Sequence, residues 1–115
     1  MASSILREKS KEFAKDIVFL CRKLKQNGVE GALINQLLRC GTSVGANVHE
    51  AQYAQGTKDF ISKLEIAQKE CYETEYWLEL LIESGYYYDK TILDRCVEVK
   101  RILIASINTA KENTK

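Results

Sequence analysis

Apolar side chains recur every three or four residues along nearly the whole chain, the spacing that gives a helix one buried stripe. The first stretch spans about Ser4 to Gln26, where Leu6, Phe13, Ile17, Leu20, Cys21 and Leu24 share one arc ahead of the stop signal Asn27-Gly28. A second runs from about Gly31 to Ala54, with Leu33, Leu37, Cys40, Val44, Val48 and Ala51 at intervals of 4-3-4-4-3. A third follows Gly56-Thr57 and continues to about Ser84, with Thr57 placed to cap it and Asp59 in its first turn. Its apolar line of Phe60, Leu64, Ala67, Cys71, Thr74, Leu78 and Leu81 keeps an unbroken heptad rhythm, the seam of a bundle or coiled coil. Gly85 ends it, and Tyr86-Tyr87-Tyr88 forms an aromatic connection. Asp89 or Thr91 can cap a fourth helix over about residues 90–112, with Ile92, Cys96, Val99, Leu103 and Ile107 inside. Four amphipathic helices with short connections imply an all-α fold, an antiparallel up-down four-helix bundle in a single domain over residues 1–115.

The middle of the second helix, Gly41-Thr42-Ser43-Val44-Gly45-Ala46-Asn47, is unusual. Each interior glycine costs about 1 kcal/mol relative to alanine. Two glycines one turn apart fit a place where helix backbones approach closely; the alternative is a loop that interrupts the helix. Outside the seams, or at their margins, lie Phe19, Tyr53, Ile66, Tyr76 and Trp77. So many large side chains imply an apolar surface patch and self-association. An irregular bundle that buries a wider arc of each helix is the alternative.

Composition narrows the class. Of the 115 residues 45% are hydrophobic and 29% charged, a globular balance. Proline is absent, where average usage of roughly 5% would give about five or six. Long helices exclude it, because it removes a helical N–H and clashes with the preceding turn. No apolar run nears the ~20 residues of a membrane span. The stretch from Met1 to Glu8 lacks the apolar segment of a secretion signal, so a cytoplasmic location without membrane contact is expected.

No catalytic or metal-binding pattern assembles from these residues. Neither GxGxxG nor GxxxxGK[ST] occurs, nor a GxSxG elbow. A di-iron bundle needs two Glu-x-x-His motifs, whereas this chain has Glu70-x-x-Glu73 and a single histidine, His49. His49 and Glu50 point about 100° apart on a helix, so they make no acid–base pair. Four cysteines, Cys21, Cys40, Cys71 and Cys96, fall one per helix. In an up-down bundle Cys71 is expected on the order of 10 Å below Cys21 and Cys96, too far for one tetrahedral metal site. They read as buried free thiols. No cofactor and no enzymatic activity are expected.

Charge is more informative in its distribution than in its sum of +1. Residues 1–28 hold seven basic and three acidic side chains, net +4, and residues 57–85 hold three basic and seven acidic, net −4. Arg7, Lys11, Lys15, Arg22 and Lys25 form one stripe along the first helix. Repeated around an oligomer axis, that stripe would become a focused positive field. A second polar group leans inward. Arg39, Ser43, Asn47 and Glu50 share one face of the second helix, and Glu70 and Glu73 lie close together on the third. An Arg39–carboxylate network, between these helices or between subunits, is expected to fix register.

The run Arg39-Cys-Gly-Thr-Ser-Val-Gly-Ala-Asn47-Val-His-Glu50-Ala, followed by Asp59-Phe-Ile-Ser-Lys-Leu-Glu-Ile-Ala-Gln-Lys-Glu70-Cys-Tyr-Glu73-Thr-Glu-Tyr-Trp77-Leu, closely resembles the bacterial four helix bundle protein family. Its members include the ribosomal intervening-sequence proteins, encoded within insertions in large-subunit ribosomal RNA genes. The accessory variability determinant of diversity-generating retroelements looks like a relative. The resemblance covers nearly the whole chain and implies a bundle that assembles into a ring, pentameric by analogy. It also implies that Arg39, Ser43, Asn47, Glu50 and Glu73 match family motif positions. The retroelement relative binds nucleic acid and a reverse transcriptase through a basic surface. By that resemblance the expected role is a non-enzymatic, oligomeric accessory protein that binds RNA, DNA or a ribonucleoprotein through Arg7, Lys11, Lys15, Arg22 and Lys25. Phe19, Tyr53, Tyr76 and Trp77 are its candidate subunit contacts. The alternative is a protein-interaction or scaffolding module with no nucleic-acid binding.

Overall fold

A computed structural model describes residues 4–114; Met1, Ala2 and Ser3, part of the stretch read above for a secretion signal, lie outside the described residues. Four helices account for the described fold: α1 (Ser4–Gln26), α2 (Gly31–Ala51), α3 (Thr57–Glu83) and α4 (Thr91–Glu112). Together they form a rod of 49 × 20 × 19 Å. No described helix is long and apolar enough to cross a membrane.

The seams become the core. Every seam residue assigned to α1 and α3 is buried, including Thr74, whose hydroxyl donates to the Glu70 carbonyl oxygen at 2.7 Å. In α2 the stripe starts one residue later than expected, since Ile34 is buried and Leu33 only partly so. Ile92 likewise packs at the core margin while Cys96, Val99, Leu103 and Ile107 are inside.

The glycine segment of α2 is continuous helix. A methyl added at Gly41 would meet both Cγ atoms of Ile17 at 2.8 Å, and one at Gly45 would meet the Ser10 carbonyl oxygen at 3.1 Å. The two glycines thus let α2 lie close on α1, against the Ile17 side chain at Gly41 and the Ser10 backbone at Gly45. Broad packing joins α2 to α1 and to α3, whereas the contact between α1 and α4 is the narrowest.

Two helices end by the same device. Gly28 and Gly85 have φ of +76° and +81°. Val29 N–H bonds to Leu24 O and Tyr86 N–H to Leu81 O, the long closing bond of a Schellman motif in each case. The end of α2 is different and earlier than the sequence implied. After Ala51 the N–H groups of Gln52, Tyr53 and Ala54 bond three residues back, so the chain tightens into a turn and the α-helix stops. Thr57 is the first helical residue of α3, not its cap; the Asp59 carboxylate instead accepts the Gln55 N–H at 3.1 Å. Ahead of α4 the Asp89 carboxylate accepts the Thr91 N–H at 2.9 Å.

The cysteines require a correction. Cys71 and Cys96, expected about 10 Å apart in height, face each other with Sγ atoms 3.9 Å apart. Each thiol also lies against the other's backbone carbonyl, at 3.5 and 3.6 Å. Cys71 lies well before the end of α3 and Cys96 close to the start of α4, so the connection over residues 84–90 descends before α4 begins, a shift that equal-height helix ends do not allow for. All four thiols are buried and free. Burial pushes the Cys21 thiol up to about 11, with nearby Cys40 adding to it.

Candidate nucleic-acid interface

Because α1 buries Leu6, Phe13, Ile17 and Leu24 on one side, residues displaced by a half-turn from them must face solvent. Arg7, Lys11, Lys15, Arg22 and Lys25 are all exposed there. None of the five enters an ion pair among the described residues. Of the seven basic residues of α1 only Lys9 does so, with Glu98 at 3.7 Å. Competition from the acids of α1 is reduced, because Asp16 is drawn to α4 by Arg95 at 2.8 Å. The hydrogen bond from Arg95 to Asp16, and the charge of Asp16, hold the guanidinium above its ordinary range. Arg7 and Lys11 border a groove of about 620 Å³ between α1 and α2, together with His49 and floored by Gly45 and Ala46. Lys15 borders a smaller cleft of about 320 Å³ toward α4.

The polar residues of α2 and α3 separate into three groups. Arg39 reaches across to α3, donating to Glu70 Oε2 at 3.1 Å and to Glu73 Oε2, with Gln36 Oε1 as a further acceptor at 3.2 Å. Trp77 Nε1 donates to the same Glu73 oxygen at 3.1 Å. Asn47 stays on its own helix, donating to the Ser43 carbonyl oxygen at 2.9 Å, and Glu50 pairs with Lys63 at 3.6 Å. Hence the Arg39 cluster joins two helices of one chain, while Ser43, Asn47 and Glu50 stand apart from it. Nor is it buried: the Arg39 side chain is 52% exposed. The inward lean expected of these residues gives way to a place on the flank that faces the neighbouring helix.

The aromatic residues expected as subunit contacts do not form one patch. Tyr53, 75% exposed, lies just past the end of α2 with its ring 5.5 Å from that of His49. Phe19, 61% exposed, lies roughly 25 Å away along the bundle by helical rise. Tyr76 and Ile66 are exposed on α3, but Trp77 is half-buried against the core, edge-on to Tyr76 at 5.2 Å.

Sequence reasoning passed over one site entirely. The connection over residues 84–90 and the C-terminal half of α1 enclose a cleft of about 620 Å³, with Phe19 on one side and Tyr86, Tyr87 and Tyr88 on the other. Tyr86 is tied across the top, donating its hydroxyl to Glu30 Oε2 at 2.6 Å. The Tyr87 hydroxyl is buried with no hydrogen-bond partner, and burial pushes it up to about 12. Three consecutive tyrosines were the available signal; what they face depends on how far the connection descends.

Comparison with known proteins fits this architecture. The sequence-family model of the 23S rRNA-intervening sequence protein matches residues 3–105. A crystal structure of a protein with unknown function, from the S23 ribosomal protein family of Bacteroides thetaiotaomicron, superposes with a TM-score of 0.86. It is 46% identical in sequence, and the match covers 89% of this chain and 97% of that one. No curated protein matches. A family model that matches residues 3–105, together with a solved four-helix relative 46% identical in sequence, puts this protein in the 23S rRNA-intervening sequence protein family.

Proposed function

We propose that this chain is a non-enzymatic accessory protein, an antiparallel up-down bundle that forms a cyclic homo-oligomer and binds nucleic acid through α1. The observation that carries the reading is the state of the stripe. Arg7, Lys11, Lys15, Arg22 and Lys25 are exposed and enter no ion pair among the described residues; outside α1, Arg39, Lys63, Arg95, Lys100 and Lys111 are each held by a carboxylate, and the unpaired Lys58, Lys69, Lys90 and Arg101 are scattered and form no such stripe. Unpaired cations spaced along a helix suit a polyanion, whose phosphates displace counterions as they bind. The family description, an intervening-sequence protein of 23S rRNA, makes RNA the first polyanion to test. The antiparallel arrangement is supported by register, since Ser10 lies against Gly45 and Ile17 against Gly41. Self-association is supported by the apolar groups left outside, among them Ile66, Tyr72 and Tyr76 on α3. Those same groups, on the acidic helix, favour the second reading of a protein-interaction module.

Light scattering after size-exclusion chromatography, with and without a structured RNA, tests both. An oligomer whose mass rises with RNA at low salt and falls back at moderate salt is the expected result. An oligomer indifferent to RNA at every salt concentration leaves the interaction-module reading, and a monomer removes the assembly.

A further inference from the structure

We infer that the cleft between α1 and the tyrosine connection holds one unstacked base of a single-stranded or looped RNA. The inference rests on the nucleic-acid reading above and adds a substrate form to it. Phe19 projects as a ridge at the edge of the cleft, and the Arg22 guanidinium sits over its ring, 5.5 Å from the centroid. Across the cleft Tyr88 is 80% exposed. Exposed aromatic side chains on both sides of one cleft, one of them already under a guanidinium, suit a planar group that stacks between them. A nucleobase has that shape, and every base offers a π-face, so such a site tolerates sequence while demanding an unpaired strand.

The rim distinguishes this occupant from an apolar peptide. Lys23 and Asn27 from α1 and Asp89 from the connection border the opening, so it offers hydrogen-bond donors and acceptors around an aromatic floor. Arg22 and Lys23 are exposed and enter no ion pair among the described residues, which leaves both to a flanking phosphate. Arg22 belongs to the α1 stripe, and Lys23, about 100° round the helix from it, carries positive charge from that face to the cleft. A base pair within a helix presents neither face, and duplex RNA would contact the stripe alone.

Fluorescence anisotropy with a short single-stranded RNA carrying 2-aminopurine, and with a duplex of the same sequence, tests the inference. Phe19→Ala and Tyr88→Ala are both at exposed positions outside the core. Each is expected to weaken the single strand by roughly 5- to 150-fold, the range that base–aromatic stacking spans, and to leave the duplex unchanged. Phe19→Tyr, which keeps the ring, is expected to retain binding and the change in 2-aminopurine emission. Equal weakening for strand and duplex, or unchanged binding in both variants, overturns the cleft while the nucleic-acid reading stands. If the unaltered protein binds neither RNA at low salt, the nucleic-acid reading falls and the cleft with it. Dissociation of the oligomer by Phe19→Ala would assign that ring to a subunit contact and also overturn the inference.

Discussion

A methyl group on Gly45 would press on the backbone oxygen of Ser10, which cannot rotate away as a side chain end can. Alanine gains about 1 kcal/mol of helix propensity there, while forced separation of packed elements costs about 1–3 kcal/mol. Gly45→Ala is therefore expected to lower stability by about 1 kcal/mol in urea unfolding, against the sign propensity alone gives. At Gly41 the obstacle is Ile17, whose two Cγ branches are both in the way. Gly41→Ala and Ile17→Ala should accordingly be non-additive, the double variant losing less than the sum of the singles; strict additivity would show that the two residues do not share the space. These glycines were legible in the sequence because a helix interior does not tolerate two without a reason. The unpartnered hydroxyl of Tyr87 and the Arg95–Asp16 bond were not, since both depend on which helix faces come together, a relation that local spacing does not carry.

Connections behave less predictably than helices here. Glycines in the left-handed conformation end α1 and α3 close to where the sequence placed those ends, because a positive φ nearly demands that residue type. Backbone bonding alone ends α2, and no residue announces it, so the expected boundary ran three residues too far. The connection before α4 misled further: its descent brings Cys96 level with Cys71, and the aromatic cleft is a product of the same descent. One bond crosses between connections at this end of the rod, from Tyr86 to Glu30. The hydrogen bond from Tyr86 holds the Glu30 carboxyl below its usual range. A carboxylate lowered in the folded state stabilises above its unfolded pKa and ceases to do so as pH falls through the folded value. Tyr86→Phe is thus expected to lower the Tm at pH 7 and to lose that effect as pH falls below the usual Glu range and through the lowered folded value. A Tm difference that persists unchanged to acid would mean that the ring's packing, and not the Glu30 bond, is what the hydroxyl supports.

On the scale of the whole molecule the stripe from Arg7 to Lys25 runs roughly 27 Å by helical rise, more than half the length of the 49 Å rod. Its sign opposes that of α3, so the rod carries its positive charge along one edge and not at one end. Charge-reversing Lys11→Glu and Lys15→Glu should flatten the dependence of log affinity on log salt by about 0.7–0.9 for each phosphate that is no longer neutralised, single strands at the lower value. Affinity that weakens with no change in that slope would place the phosphate-binding cations elsewhere. The four helices and their seams were legible because one periodicity repeats through the chain. The candidate binding surface was legible only as charge, since the aromatic groups that surround it are distributed among several elements. The four cysteines have a further consequence for any assembly. With every thiol sealed in the core, no folded copy can cross-link to another on standing in air. Whatever mass the native protein shows is held by reversible contacts alone, and a disulfide-joined ladder on a gel would report that some molecules had opened.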